Sequence, residues 1–270
     1  MKRIELFEFE DFNWLPNVIR AGTTNLIVVF HKLMGTAEVV SSLILSVKKS
    51  YNFKQIVDLG SGSGGAMPEI FKQISKENKN LKLILTDLHP NRHIVEGINK
   101  GKNDNMEYFP DSVNAANIGD APSGLKTMIA SFHHMKPDIA KKILVSAEAN
   151  KEPILIYEVA KNTIPTIVWW LFLPVSLIIL ILMSLVMTLF VRPLKFSQIL
   201  FTYLIPIIPL VYAWDGQASL MRTYTFKDIK DLIGNSDGNE YHWIIDDAEK
   251  ANGKKIGYYI IGYPKTSKGN

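Results

Sequence analysis

Residues 57–65 read VDLGSGSGG, and this glycine-rich stretch is the part of the sequence that decides the fold. It overlaps the end of a short apolar run at Gln55–Leu59, which predicts a buried strand, and it precedes a helical pattern at Ala66–Lys76 with Pro68 in its first turn. Glycines at such a turn let the backbone approach a ligand without Cβ collisions and adopt positive φ. The stretch therefore predicts a ligand-binding loop between a strand and the following helix of an α/β sheet.

Short apolar runs and helical stretches alternate along the chain from here to residue 157. The later runs predict strands at Leu81–Thr86, Met106–Phe109, Leu125–Ala130 and Pro153–Tyr157. Further helical patterns fall at Asn91–Lys100 and Asp138–Asn150. Strands that alternate with helices predict a parallel sheet that is covered on both faces.

Helical and strand patterns also occur on either side of this region. Apolar residues recur at steps of three and four within the first fifty residues, which predicts an N-terminal helical cap. Near the other end, Thr225–Ile233 predicts a helix, and Tyr241–Ile245 and Lys255–Ile261 predict an antiparallel strand pair around the turn signal Asn252-Gly253. The predicted domains are the cap at 1–50, a ligand-binding α/β part at 51–160, a hydrophobic insertion at 161–214, a C-terminal helix and hairpin at 215–263, and a tail at 264–270.

The composition is that of an ordinary globular chain, with 47% hydrophobic and 21% charged residues. Cysteine is absent, which excludes disulfides, thiolate metal sites and cysteine nucleophiles. The formal net charge is +4, and outside Asn162–Trp214 the chain carries 28 basic and 26 acidic residues, so no nucleic-acid partner is expected. The first thirty residues include four acids that a secretory signal would not tolerate, and we expect the globular part to stay in the cytoplasm.

The segment Asn162–Trp214 is hydrophobic enough to indicate contact with a membrane. Residues 162–191 hold no charge and would measure about 45 Å as a helix, against roughly 30 Å for the hydrocarbon core of a bilayer. A second uncharged stretch, Phe196–Trp214, is broken by Pro206 and Pro209. The alternative is a pair of helices buried against the sheet.

Strands of one sheet flank this segment, and that restricts its topology. Both of its ends must lie on the same side of a membrane. If the first stretch crossed once, Arg192 and Lys195 would lie outside, against the positive-inside tendency. We therefore expect a re-entrant or interfacial helical hairpin on the cytoplasmic face, kinked near Pro174, with Trp169 and Trp170 at the level of the headgroups.

The acid nearest to the glycines helps to distinguish two kinds of ligand. Gly60, Gly62 and Gly65 satisfy the dinucleotide pattern G-x-G-x-x-G. However, Asp58 lies two residues before Gly60, where it can meet a cationic group of a ligand, and an acid facing an anionic pyrophosphate would be unfavourable. This position favours a positively charged ligand over a nicotinamide dinucleotide.

Two further acids follow predicted strands. Asp87 comes at the end of the second strand, where an acid can accept hydrogen bonds from both hydroxyls of a ribose. Asp111-Ser112 follows the third strand, where a side-chain acceptor and a backbone N–H could read an adenine edge. Since all three acids fall at strand ends, we interpret them as parts of one site rather than as helix caps.

As a set, these residues resemble the class I S-adenosylmethionine-dependent methyltransferases, over roughly 51–160 and 215–263. Asp58–Gly64 is similar to the first motif of that family, Asp87 to its ribose-binding acid, Asp111-Ser112 to its adenine contacts, and Ser131–Met135 to the segment that lines the transferring methyl group. The resemblance implies a Rossmann-like, seven-stranded, mostly parallel sheet with an antiparallel last strand, N-terminal cap helices and a hydrophobic helical insertion between strands five and six.

The resemblance also implies S-adenosylmethionine as the cofactor and S-adenosylhomocysteine as its product. The residues expected to hold the cofactor are Asp58, Gly60, Ser61, Gly62, Gly64, Asp87, Leu88, Asp111, Ser112 and Ser131.

Histidines provide the candidates for catalysis. His133 or His134 could act as a general base or as a polar contact to the substrate, and a histidine hydrogen-bonded at a strand end is an equally good interpretation. His89 and His93 have the spacing of metal ligands on a helix, but Pro90 lies between them and no nearby acid completes a site. No metal is therefore expected.

Three residues outside the α/β part are candidates for substrate binding. Trp14 and Arg20 resemble the cap of small-molecule methyltransferases, although helical packing explains them equally well. Arg222 could bind an acidic group of the substrate, but an ion pair with Asp215 is the favoured interpretation.

The hydrophobic insertion leads to the predicted substrate, because additions between strands five and six often shape the substrate side of this fold. We expect methyl transfer to a lipophilic small molecule, such as a lipid, quinol or phenol, at oxygen and at the membrane surface. One alternative is a non-catalytic, membrane-anchored protein that senses the cofactor or acts as a scaffold. A further alternative is a nicotinamide-dependent oxidoreductase. The oligomeric state is left open.

Overall fold

The computed structural model describes residues 1–101, 105–234 and 240–265 of the 270-residue chain. The chain divides into two compact units. The sheet unit comprises residues 35–159 and 226–270, and the helical unit comprises residues 1–34 and 160–225. The glycine loop belongs to the sheet unit, and the hydrophobic segment belongs to the helical unit.

Seven strands in the described residues form one sheet. They are β1 Gln55–Leu59, β2 Lys82–Thr86, β3 Met106–Tyr108, β4 Leu125–Ile129, β5 Ile154–Glu158, β6 Tyr241–Glu249 and β7 Lys255–Pro264. The order is β3-β2-β1-β4-β5-β7-β6, and β7 runs antiparallel to both of its neighbours while the first five strands are parallel. This architecture confirms the predicted α/β sheet with an antiparallel last strand.

Nine α-helices occur in the part of the chain that the structure describes. They are α1 Asn17–Met34, α2 Thr36–Ser50, α3 Met67–Ile74, α4 Arg92–Asn99, α5 Pro137–Ala149, α6 Thr166–Thr188, α7 Phe196–Ile199, α8 Ile207–Arg222 and α9 Phe226–Ile233. Helices α2 to α5 and α9 belong to the sheet unit. The strands β1, β4 and β5 are buried along almost their whole length, and β5 reads accordingly as an apolar run up to Tyr157.

The order of the strands determines where a ligand can bind. The chain leaves β1 toward β2 and β3 on one side, and then returns to place β4 on the other side of β1. In an open α/β sheet, the crevice outside the carboxyl ends of the strands at such a reversal is the usual ligand site. The loops after β1, β2 and β4 all open onto this edge.

The helical unit is built around an antiparallel pair, α6 and α8. Trp169 near the start of α6 donates from Nε1 to Gln217 Oε1 near the end of α8, at 2.9 Å. At the opposite end of the pair, Met187 of α6 and Ile208 of α8 share a core with Leu26 of α1. The hydrophobic segment is therefore a helical hairpin, as predicted.

The largest bend in this part of the chain lies at Pro206 rather than at Pro174. Helix α6 is one helix from Thr166 to Thr188, with Pro174 inside it. The bend lies instead at Pro206, where Phe196–Leu204 and α8 meet at 79°. Proline disfavours the helical region for the residue before it, and Ile205 accordingly has φ −124° and ψ 83°.

The two tryptophans near the start of α6 differ in exposure. Its side chain is buried by the contact with Gln217, whereas Trp170 is about half exposed. Trp170 is therefore the tryptophan of this pair that could contact lipid headgroups directly.

Candidate functional site

The loop after β1 has the backbone that the glycines predicted. Gly60, Gly62, Gly64 and Gly65 all have positive φ, of 69°, 53°, 99° and 49°. A Cβ built on Gly60, Gly62 or Gly65 would meet no protein atom within 4 Å. The loop is thus an open cradle whose backbone is accessible, and glycine is required both for its conformation and for a close approach by a ligand.

Asp58 lies under this loop and is almost fully buried. Its Oδ2 accepts a hydrogen bond from Ser61 Oγ at 2.6 Å, and its Oδ1 accepts one from Thr127 Oγ1 of β4 at 2.7 Å. Burial raises the pKa of Asp58 to about 7, the two hydroxyls oppose that rise, and the charge of Asp87 adds to it. The pKa of this carboxyl therefore lies close to neutral pH.

Asp87 follows β2 and joins the next turn to the glycine loop. Its Oδ2 accepts from the backbone N–H of Gly62 at 2.9 Å, and its Oδ1 accepts from the backbone N–H of His89 at 2.8 Å. A carboxylate has about four acceptor positions, so two hydrogen bonds leave capacity for others. The predicted acid and the predicted loop are in direct contact.

The residues expected at an adenine lie on the adjoining loops. Ser112 Oγ donates to the carbonyl oxygen of Leu88 at 2.7 Å, and the N–H of Val113 donates to the carbonyl oxygen of Asp87 at 2.9 Å. Leu88, Asp111 and Ser112 all have exposed side chains at this edge. The turns after β2 and β3 are therefore tied together beside the glycine loop.

Tyr108 at the end of β3 is a part of the site that the sequence interpretation missed. Its hydroxyl donates to the carbonyl oxygen of Gly62 at 2.9 Å, and its side chain is buried. Burial raises the pKa of the phenol, and the charges of Asp87 and Asp58 raise it further, so it stays a donor at neutral pH. A tyrosine at the end of a predicted strand gave only a weak signal of this role.

The segment after β4 carries the predicted histidines. Ala130 has a positive φ of 52°, and the carbonyl oxygen of Ser131 accepts from the N–H of His134 in a short turn. The rings of His133 and His134 lie with their centroids 4.2 Å apart and inclined at 36°. His133 is buried, and His134 is partly exposed.

Glu158, the last residue of β5, was not predicted. Its Oε1 accepts from the backbone N–H of His133 at 3.0 Å, and its Oε2 lies 2.8 Å from His133 Nδ1. Both side chains are buried. An acid that ends an otherwise apolar strand, as Glu158 ends Ile154–Tyr157, was the available signal.

The candidates for substrate binding have structural partners within the helical unit. Arg20 donates to the carbonyl oxygens of Glu10 and Phe12, and Trp14 stacks on Phe12 with centroids 5.6 Å apart. Trp14 nevertheless keeps about two thirds of its surface exposed.

Arg222 does not make the predicted ion pair with Asp215. It pairs with Glu8 at 3.3 Å and with Asp11, while Asp215 accepts from the backbone N–H groups of Phe9 and Glu10. The N-terminal segment supplies partners to both side chains, and this pairing over more than 200 positions could not be read from local spacing.

The hairpin exposes a large apolar surface. Of the thirty large hydrophobic side chains that are exposed among the described residues, twenty-one lie between Ile164 and Leu210. Within the described residues, α6 is the one single helix that is long and apolar enough to cross a membrane, and up to three spans result if each of two bent helix pairs is counted as one. Surface of this extent exceeds what isolated apolar side chains contribute to an ordinary protein surface.

Comparisons with known proteins identify the fold. No protein-family model and no curated protein matches the sequence. The plantazolicin methyltransferase BpumL in complex with SAH matches the structure with a TM-score of 0.54 at 12% identity, over 92% of this chain and 89% of that one. The same enzyme in complex with a monoazolic desmethylPZN analog and SAH gives 0.53 at 12% identity, over 92% and 88%. At this identity the likeness is one of fold, and it agrees with the predicted Rossmann-like methyltransferase architecture.

Proposed function

We propose that the protein is an S-adenosylmethionine-dependent methyltransferase that acts on a lipophilic small molecule, at oxygen, on a membrane surface. The observation that carries this proposal is the hydrogen bond from the Gly62 N–H to Asp87, which joins an open glycine cradle to an acid at the end of the next strand. The complexes of BpumL with SAH, which share the fold, support the same ligand here.

The residues at the sheet edge fit this cofactor. Gly60 and Gly62 have open space where a side chain would stand, so the cofactor could approach the backbone of the loop there. The carboxylate of Asp87 can accept further hydrogen bonds, which suits the two hydroxyls of a ribose. Asp58 offers a negative charge for a cationic group, while Ser131 and the turn Leu88, Asp111 and Ser112 would border the remaining parts. A dinucleotide fits less well, because the buried carboxyl of Asp58 would lie close to its pyrophosphate.

Methyl transfer to oxygen requires few catalytic groups from the protein. The reaction is an in-line displacement, so the protein chiefly aligns the two reactants and excludes water. An acceptor hydroxyl must also lose its proton, and His133 is the proposed base, with His134 as a second candidate. We also propose that the acceptor contacts Trp14, Arg20 and Arg222.

The proposal of a lipophilic substrate rests on the apolar surface of the helical unit. Its exposed hairpin would hold the enzyme on the cytoplasmic face of a membrane, where lipids, quinols and phenols are concentrated. The hairpin follows β5 and precedes α9 and β6, and both strands belong to one sheet, which supports a re-entrant or interfacial insertion.

Calorimetric titration of the detergent-solubilised protein tests the cofactor proposal. We expect S-adenosylmethionine and S-adenosylhomocysteine to bind, and Asp87→Ala to weaken both by roughly 1.5–3 kcal/mol, the scale of hydrogen bonds to a charged group. Glu107→Ala removes an exposed carboxylate from the neighbouring strand β3 and should leave the affinity unchanged. Equal affinity of the wild type and Asp87→Ala would remove Asp87 from the site, and binding of a nicotinamide dinucleotide instead would favour the oxidoreductase.

Transfer of a labelled methyl group to a lipid extract tests the activity. We expect the label to appear in the organic phase, and mass spectrometry of the product should identify an added methyl on oxygen. Cofactor binding without transfer to any fraction of the extract would favour the non-catalytic scaffold.

A further inference from the structure

Residues 4–14, IELFEFEDFNW, form a segment of the helical unit that exposes aromatic rings and pairs every acid. Within this aromatic segment Glu8 is 1% exposed, whereas Phe7 is 47% and Trp14 is 65% exposed. The partners of the acids are Arg3 for Glu5, Arg222 for Glu8 and Asp11, and Thr23 for Glu10. A segment that faced only water would show the reverse pattern, because burial of a carboxylate costs free energy while exposed rings gain nothing from water.

The rings of the aromatic segment form one cluster with Trp214 of α8. The centroids of Phe7 and Trp214 lie 5.0 Å apart, and those of Phe12 and Trp14 lie 5.6 Å apart with the rings inclined at 21°. Phe7 joins the two pairs, since its centroid is 5.8 Å from that of Phe12. The indole N–H of Trp214 also donates to the carbonyl oxygen of Phe7 at 2.9 Å. The exposed rings are therefore held in a defined place on α8.

This cluster is continuous with the end of the hairpin at which the chain enters and leaves it. Trp214 also packs against a core of Trp169, Leu173 and Met221, which joins the start of α6 to the end of α8. Four of the five tryptophans lie in this part of the helical unit, and the fifth is in β6. Tryptophans gathered beside a long apolar helix are typical of the level at which a bilayer meets water.

We propose that the aromatic segment is a second membrane-contact element, which lies at the headgroup level of the bilayer that receives the hairpin. The proposal rests on the membrane association in the proposed function. A bilayer is favoured over a protein partner because the cluster adjoins the exposed apolar surface of the hairpin, so one apolar phase can cover both. The pairing of each acid also reduces the repulsion that anionic headgroups would exert on the segment.

Fluorescence quenching in vesicles tests this placement, and the absence of cysteine from the natural chain permits single labels. The full chain with a bimane label on Asn13→Cys is reconstituted into vesicles of equimolar phosphatidylcholine and phosphatidylglycerol. We expect a nitroxide on the lipid headgroup to remove most of its emission, and a nitroxide deep in the acyl chain to remove less. A label on Val175→Cys, on the exposed side of α6, should show the reverse order. A label on Ser42→Cys, on the exposed side of α2, should keep its emission with both lipids.

Removal of the two exposed rings tests whether they cause the contact. Phe7→Ser combined with Trp14→Ser should reduce the headgroup quenching at Asn13→Cys to the level at Ser42→Cys, and should leave the quenching at Val175→Cys unchanged. Val145→Ser is the matched control, because Val145 is 46% exposed but belongs to the sheet unit, and it should change neither signal. If the double variant does not fold, then Trp14→Ser alone should still lower the quenching at Asn13→Cys.

The failures of the two proposals are distinguishable. If the label at Val175→Cys keeps its emission with both nitroxide lipids, the hairpin is not inserted and the membrane association of the proposed function is contradicted. Quenching at Val175→Cys without quenching at Asn13→Cys overturns the role of the aromatic segment and leaves the hairpin in the membrane. Unchanged quenching at Asn13→Cys after loss of the exposed rings also overturns it.

Discussion

Among single residues, Asp58 has the chemistry most sensitive to its surroundings. Two hydroxyls hold its carboxyl in a site closed to water, and burial raises its pKa from 3.8 to about 7. The folded chain therefore binds a proton between these pH values that the unfolded chain has released. The contribution of this group to the free energy of unfolding is present below pH 4 and is lost as the pH rises through 7.

A cationic ligand should favour the ionised form of Asp58 over the protonated form. Its charge favours the ionised carboxyl, so binding of S-adenosylmethionine should expel the proton of Asp58 and strengthen as the pH rises from 5.5 to 7. We expect calorimetry at pH 6, in buffers of different ionisation enthalpy, to detect the release of up to one proton. Asp58→Asn, which cannot ionise, should bind without that release, and the same release in this variant would assign the proton to another group.

At the scale of elements, the glycine loop joins β1 to α3 through a run of positive φ angles. Asp87 and Tyr108 tie this loop to the ends of β2 and β3, so it is held in place although its outer face is open. Three neighbouring strands therefore define the cradle, and the sequence between residues 60 and 65 is only one part of it.

Gly62→Val should abolish cofactor binding and leave the fold intact. The new Cβ would meet no protein atom within 4 Å, so it would occupy ligand space, and the positive φ would cost about 1–2 kcal/mol of stability. Gly253→Val is a matched control, since Gly253 also has positive φ with open space around it but lies in the β6–β7 turn. Thermal unfolding should show similar losses for both variants, and calorimetry should show lost binding for Gly62→Val alone. Normal binding by Gly62→Val would contradict the assignment of the cradle.

Helix α6 also separates two surfaces along its length. Trp169, Leu173, Ser184, Met187 and Thr188 are buried and share one side of the helix. The other side exposes apolar residues from Ile167 to Leu189. Because the sequence is apolar all round, only the packing against α1 and α8 distinguishes the two sides.

At the scale of the whole molecule, apolar surface and charge are segregated. Twenty-one of the thirty exposed large hydrophobic residues in the described chain lie within Ile164–Leu210, where Arg192 and Lys195 are the only charged residues. Burying even ten such side chains at about 1.5–3 kcal/mol each exceeds what a reversible peripheral contact requires. We therefore predict that high salt and carbonate leave the protein in the membrane fraction and that detergent releases it. Recovery in the soluble fraction would contradict membrane insertion and remove the main reason for a lipophilic substrate.

Cysteine labelling tests the topology, because the natural chain has no cysteine. Ser197→Cys at the tip of the hairpin should react with a membrane-impermeant thiol reagent only after the cells are opened. Ser42→Cys on the exposed side of α2 is the cytoplasmic control and should also react only in opened cells. Labelling of Ser197→Cys in intact cells would establish a two-span hairpin in place of the re-entrant one.

Much of the fold could be predicted because its signals are local. β1 has the predicted bounds, β2 to β5 begin or end within a residue of them, and the glycine loop has the expected positive φ angles. Buried parallel strands are rich in apolar residues, and a loop at positive φ favours glycine, so both features leave a signal in consecutive residues.

Contacts between distant residues could not be predicted in this way. The sequence alone indicated an α/β sheet, a glycine cradle with Asp58 and Asp87 at strand ends, and a hydrophobic hairpin. The tertiary structure decided that Tyr108 supports the cradle, that Glu158 faces His133, and that Arg222 pairs with Glu8 and Asp11 instead of Asp215. The physical reason is that periodicity and composition report which side of an element is buried, whereas a hydrogen bond or ion pair depends on the side chain that a remote segment places within about 3 Å.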